Sequence, residues 1–219
     1  MNTEPTGFLY PFIESEERDA SSLVADLAVS ARAKMADSVA LRTATLERCG
    51  GVVQQTAAEM ADRFGAGGRL FAFGNGGSAT DADGTVELFR CPPSGRPLPA
   101  MSLVDDRAVL TALANDIGFD VVFSRQIIAY AQPGDIAVGF STSGDSVNVI
   151  RAFEEASRRG LLTIGLCGYE GGAMAGSDAI EYCLVVRSDS VHRIQEAQDA
   201  LVWQLWSAVQ DHLPEGSPS

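Results

Sequence analysis

The chain has 219 residues and a formal charge of −13, from 16 Lys and Arg against 29 Asp and Glu. A surface of that sign offers no basic face for phosphate backbones, which excludes a dedicated nucleic-acid binder and, equally, an anionic membrane surface as partner. With 46% hydrophobic residues, the length suits one core-forming domain with a helical extension.

Residues 1–14 carry Pro5, Pro11 and several aromatics without a period. They read as an arm that packs on something, and they lack the basic and apolar regions of a signal peptide. From Ser15 to Phe64 apolar residues recur at helical spacing: Leu23, Val24, Leu27, Ala31 and Met35, then Val39, Leu46, Val53, Ala57, Met60 and Phe64. This pattern predicts two or three helices, broken near Asp37 and near Gly50-Gly51, with Gly65-Ala66-Gly67-Gly68 as the stop. Residues 1–64 are thus expected to form an arm and helices serving oligomerisation. Residues 65–213 form an α/β domain, and 214–219 a frayed tail.

After Gly68 short apolar runs each enter a small-residue turn. Arg69–Phe73 leads into Gly74-Asn75-Gly76-Gly77-Ser78, and Pro99–Val104 into Asp105-Asp106. Asp135–Phe140 leads into Ser141-Thr142-Ser143-Gly144-Asp145-Ser146, Leu161–Cys167 into Gly168–Gly172, and the last run is Tyr182–Val186. Runs without alternation are strands covered on both faces. With amphipathic stretches such as Val147–Arg159 between them, they imply a doubly wound parallel sheet of about five strands flanked by helices. Ligands of such sheets sit at the carboxyl ends of the strands.

Two of these loops carry chemistry. In Gly74–Ser78 the glycines allow a sharp turn and bring N–H groups close to a ligand, at the electropositive start of a helix. The loop has neither the Gly-Lys-Ser/Thr ending of a Walker loop nor a Gly-x-Gly-x-x-Gly spacing, so alone it reads slightly better as a tight turn. In Ser141–Ser146 four hydroxyls fall within six residues at another helix N-terminus. One or two suffice for capping, and the surplus suits a phosphate. The four cysteines, Cys49, Cys91, Cys167 and Cys183, are scattered without a CxxC pair. They read as reduced, packed thiols of a cytoplasmic protein, and a zinc finger is excluded by spacing. Nothing in the residues calls for a metal or an organic cofactor.

GNGGS and STSGDS, with ALANDIGFDVVFSRQI between them and HRIQEAQD near the end, resemble the SIS (sugar isomerase) domain, and within it the bacterial phosphoheptose isomerases. The resemblance implies phosphate contacts from Ser141, Thr142, Ser143 and Ser146, with Asn75, Gly76 and Ser78 close to the sugar. It also marks Asn115, Asp116 and Gln195 as ligand-binding positions. It implies a homotetramer whose pockets are completed by a neighbouring subunit.

The catalytic half departs from the family. There a helix after the glycine loop supplies a His and a Glu to a metal-assisted site, and the C-terminal helix a Gln and a second His. Counted without a gap, those His and Glu positions fall on Gly84 and Leu88, and the second His on Trp203. Gly and Trp neither ligate zinc nor transfer the proton. The chain is one residue short between Gly74 and Arg96-Pro97. If that gap lies inside the helix, Glu87 takes the catalytic position; if it lies in the following loop, Glu87 points about 100° away. His192, next to Arg193-Ile194-Gln195, is the other proton-transfer candidate, and Glu196 and Asp199 share its helix. The apolar stretch Ala197–Leu213, with Trp203 and Trp206, packs on the sheet or on another subunit.

Two readings follow. In the first the chain binds a phosphosugar such as sedoheptulose 7-phosphate and acts as an aldose–ketose isomerase. In the second it is a non-catalytic scaffold or sugar-phosphate-sensing regulator that binds a protein partner.

Overall fold

The five apolar runs form the five strands of one sheet. In the computed structural model, which describes residues 20–213, the order of elements is α1 (Ala20–Gly65), β1 (Leu70–Gly74), α2 (Gly77–Arg90), β2 (Ala100–Ser102) and α3 (Arg107–Asp116). After a 3₁₀ turn at Phe119–Val121 come α4 (Val122–Tyr130), β3 (Ile136–Ser141), α5 (Val147–Arg158) and β4 (Leu162–Gly168). A second 3₁₀ turn at Gly172–Gly176, β5 (Tyr182–Val186) and α6 (Val191–His212) complete it. The arm over 1–14 and the tail over 214–219 lie outside the described residues.

All strand pairs are parallel, in the order β2-β1-β3-β4-β5. β1 therefore has β2 on one side and β3 on the other, and the direction of winding reverses there. Gly74 at the end of β1 is in register with Phe140 in β3. The two small-residue loops consequently leave the sheet side by side, at the switch point where doubly wound sheets bind ligands.

The chain divides into two compact units, one ending at Ala40 and the other beginning at Leu41. In the first, Leu23, Val24, Leu27, Val29, Met35 and Val39 are exposed. In the second, both faces of the sheet are covered. Leu70, Ala72, Ile136, Val138, Phe140, Leu162, Ile164 and Leu166 share one core with Val53, Met60 and Phe64 of α1, Phe89 of α2, and Leu201 and Leu205 of α6. Phe71 and Phe73 face the other way, toward Phe123 and Ile127 of α4 and Val149 and Phe153 of α5.

The expected breaks near Asp37 and Gly50-Gly51 do not occur: α1 is one helix of 46 residues. Each glycine inside a helix costs about 1 kcal/mol relative to alanine. Burial of Cys49, Val53 and Ala57 on either side of the pair contributes more than that, at roughly 1.5–3 kcal/mol for a buried valine alone, so packing overrides propensity. The stop after Gly65 is as expected, with the Gly68 N–H returning to the Arg63 carbonyl at 2.8 Å. Among the cysteines, Cys49 and Cys167 are buried, but Cys91 is exposed beyond the end of α2 rather than packed.

Candidate active-site crevice

The first loop turns directly from β1 into α2. The Ser78 N–H bonds the Asn75 carbonyl at 3.0 Å and the Ala79 N–H the Gly76 carbonyl at 3.0 Å. Ser78 is buried, whereas Gly76 and Gly77 lie open at the surface. Gly77 abuts Gln195 of α6 so closely that a Cβ there would displace the amide.

The second loop is built from its own hydroxyls. Ser141, almost fully buried, has its Oγ 2.9 Å from Ser146 Oγ and 3.4 Å from Ser143 Oγ, and it accepts the Gly144 N–H at 3.2 Å. Ser143 Oγ accepts the Asp145 N–H at 3.1 Å. Ser146 occupies the N-cap of α5, yet its hydroxyl makes no capping bond; it is spent on Ser141 instead. Gly144 has φ 74°, and a Cβ there would run into the Gly171 carbonyl. The loop's one carboxylate is tied off, since Asp145 Oδ1 accepts the Ala173 N–H at 2.8 Å. What remains is a set of hydroxyls and helix-end N–H groups, which needs no Lys or Arg to suit an anion.

Asn148, in the first turn of α5, clasps the two loops together. Its Nδ2 donates to Asn75 Oδ1 at 2.9 Å, and Asn75 Nδ2 donates back to Asn148 Oδ1 at 2.8 Å. Sequence reasoning missed Asn148. Its signal was a polar residue beside Val149 on the buried side of an amphipathic helix.

A second polar group lies where α2 meets α6. Gln195 Nε2 donates to Asp81 Oδ2 at 3.1 Å. Burial raises the Asp81 carboxyl to about 6; the Gln195 bond works against this and the nearby Asp199 carboxylate adds to it. Asp199 is itself raised, by burial and then by Glu196. Asp81 also escaped the sequence reading, although it stands one turn after Gly77 on the same helix face.

The remaining candidates are dispersed. Asn115 and Asp116 are exposed in the last turn of α3, where Asn115 Nδ2 donates to Asp116 Oδ1 at 2.7 Å. Among the described residues no hydrogen bond joins them to either loop. Thr142 is half-buried between Ser141 and Ser143. His192 is exposed in the first turn of α6. Glu87 is exposed on a regular α2, nine residues beyond Ser78, which is about 14 Å along the axis. It lines two depressions. One is a groove of about 710 Å³ running past Asp83, Ser102, Asp105 and Asp106. The other is a cavity of about 480 Å³ shared with Asp199 and Trp203.

Residues 35–168 match the SIS domain model. The phosphoheptose isomerase of Geotalea daltonii is 43% identical over 156 residues, covering 70% of this chain and 80% of that relative. The chain belongs to the phosphoheptose isomerase family of SIS-domain proteins. The phosphoheptose isomerase of Aquifex aeolicus is 42% identical over 153 residues, covering 69% of this chain and 79% of its own. The structure of a phosphoheptose isomerase from Neisseria gonorrhoeae superposes with a TM-score of 0.78 at 34% identity, over 84% of this chain and 99% of that one.

The positions that the resemblance marks for metal ligands carry few donors. Gly84 has no side chain, Leu88 is apolar, and the Trp203 indole can only donate. Gln195 is engaged with Asp81. Among the described residues no group of three or more His, Cys, Asp or Glu side chains could hold a metal ion. The residues present do not fit a divalent-metal site. Among the described residues, too, no helix is long and apolar enough to cross a membrane.

Proposed function

We propose that this chain is a phosphosugar-binding member of its family, with the phosphate held by Ser141, Thr142, Ser143 and Ser146 and the sugar reaching Asn75, Gly76, Ser78 and Gln195. The hydroxyl loop at the start of α5, locked to the glycine loop by the Asn75–Asn148 pair, is the observation that carries this reading. A phosphate accepts several hydrogen bonds at once, and a rigid constellation of hydroxyls and amides meets it without reorganisation. Asn115 and Asp116 belong to the ligand set by resemblance.

The reaction of the relatives gives the first reading of activity: aldose–ketose isomerisation of a sugar phosphate such as sedoheptulose 7-phosphate. A proton leaves the carbon beside the carbonyl, an enediolate forms, and the proton returns to the neighbouring carbon. Glu87 and His192 are the proton-transfer groups this reading calls on. The second reading, a sugar-phosphate-sensing regulator with a protein partner, is favoured by Gly84, Leu88 and Trp203, which stand where the family's metal ligands are expected. In both readings the protein is a cytoplasmic homotetramer with pockets completed across subunits. The exposed apolar residues from Leu23 to Val39 and the unframed cysteines support this.

The test is turnover of sedoheptulose 7-phosphate, with and without zinc, beside thermal stabilisation by the same compound. Turnover lost in Glu87→Gln supports the isomerase with Glu87 as base, and turnover untouched by it removes Glu87. Stabilisation without turnover supports the regulator. Absence of both turnover and stabilisation contradicts the proposal.

A further inference from the structure

Strands β4 and β5 bring two thiols together. Cys167 stands near the end of β4 and Cys183 in β5, and their sulfurs are 3.4 Å apart. The register of the strands explains the meeting. Cys183 is paired with Gly165 and Cys167 with Val185, so the cysteines are diagonal neighbours on one face of the sheet. The residue directly opposite Cys183 is a glycine and puts no side chain between the sulfurs.

The two thiols differ in access and in acidity. Cys167 is fully buried, whereas Cys183 is half-buried on the outer strand of the sheet, which bonds to β4 alone. The contact with Cys167 holds the Cys183 thiol below its ordinary value, and burial works against this. The same contact, and then burial, push the Cys167 thiol up. A thiol that is reachable and shifted toward thiolate is the one that attacks an oxidant, and a protonated neighbour resolves the product.

The pair adjoins the hydroxyl loop through the backbone. Cys167 is in register with Ser141 across β3 and β4, and the next residue, Gly168, donates its N–H to the Thr142 carbonyl at 2.9 Å. A disulfide has its sulfurs about 2.05 Å apart and its Cα atoms roughly 4.4–6.8 Å apart. Diagonal neighbours on adjacent strands are roughly 7–8 Å apart. Closing the bond therefore draws the backbones of β4 and β5 together, and the shift enters the loop at Ser141 and Thr142.

We propose that Cys183 and Cys167 form a peroxide-modification site, whose reversible disulfide loosens the phosphate loop. The Cys183 thiolate attacks one peroxide oxygen: an S–O bond forms, the O–O bond breaks, and the departing hydroxide takes up a proton as water. The Cys167 sulfur then attacks the Cys183 sulfur. The S–S bond forms, the S–O bond breaks, and the Cys167 proton leaves with the second water. The two sulfurs together give up two electrons, and the peroxide is reduced to two waters. A dithiol reductant reverses the change by thiol–disulfide exchange. The effect on the loop rests on the phosphosugar reading above; the modification itself does not.

The experiment treats the parent with hydrogen peroxide, alkylates the remaining thiols and maps all four cysteines by peptide mass spectrometry. The expected product is a Cys167–Cys183 disulfide with Cys49 still alkylated, and dithiothreitol restores both thiols. Cys167→Ala should instead leave a Cys183 sulfenic acid that dimedone captures, and Cys183→Ser should leave Cys167 a free thiol. Oxidised parent should bind sedoheptulose 7-phosphate at least about fivefold more weakly than reduced parent, the low end of a coupling between sites, read by thermal stabilisation. Cys183→Ser should bind it equally with and without peroxide. Oxidation confined to the exposed Cys91, or a disulfide joining Cys183 to Cys49, overturns the site. A Cys167–Cys183 disulfide with undiminished stabilisation overturns its link to the loop. Absence of stabilisation in the reduced parent removes the phosphosugar reading, and the thiol map then decides the modification site by itself.

Discussion

The hydroxyl loop and the α2–α6 face both adjoin the glycine loop, yet their polar groups are satisfied to very different degrees. Around Ser141 the three serine hydroxyls each meet a hydroxyl or an N–H, Asp145 is tied to Ala173, and Asn75 and Asn148 complete each other. On the α2–α6 face burial and then the Asp199 carboxylate raise Asp81, burial and then Glu196 raise Asp199, and a tryptophan stands half open. The first region is preorganised for an anion and needs little from a ligand beyond its charge. The second is electrostatically unrelieved, and hydroxyl donors from a ligand would improve it.

Two glycines break the comparison most sharply. Gly144→Ala places a Cβ on the Gly171 carbonyl at a positive φ and should cost about 3 kcal/mol. Gly84→Ala meets open space within a helix and should stabilise by about 1 kcal/mol. Urea denaturation of the two variants checks both signs; similar costs at the two positions would erase the distinction between the regions. Between these in size, Asn148→Ala removes a nearly fully buried amide and leaves the half-buried Asn75 without its partner. It should cost about 2 kcal/mol and weaken phosphate-dependent stabilisation, both measurable by thermal denaturation with and without inorganic phosphate.

Asp81 gives the subtlest effect and a definite sign. Its folded pKa is raised to about 6 from an ordinary value of 3.8. Between those values the folded state holds a proton that the unfolded state has lost. The stability contributed by protonated Asp81 is present in full below pH 4 and is lost as pH rises through 6. Relative to the parent, Asp81→Asn should therefore gain melting temperature progressively between pH 4 and 6.5. A difference that is flat, or that runs the other way, would show that Asp81 is not strained by its surroundings.

The sheet was legible because buried parallel strands appear as unbroken apolar runs between small-residue turns; all five runs became strands within a residue or two. The two loops were legible for the same reason, as each is a contiguous string of glycines or hydroxyls. What escaped the sequence depends on contacts between distant segments. Asn148 matters only because Asn75 comes to lie 73 positions away in the chain and within hydrogen-bond reach. Asp81 matters only because Gln195 and Asp199 pack over it. The unbroken α1 escaped because helix propensity at Gly50-Gly51 was outweighed by burial of their neighbours, which a local reading does not see.

The central claim, that the Ser141–Ser146 loop holds a phosphate, is tested most directly by thermal denaturation of the Ser141→Ala, Ser143→Ala double variant with increasing sedoheptulose 7-phosphate. Removing two charge-assisted hydrogen bonds, each worth about 1.5–3 kcal/mol, should weaken binding by more than about 100-fold. The parent is expected to rise in melting temperature with ligand and the variant to stay flat. An undiminished rise in the variant would contradict the account.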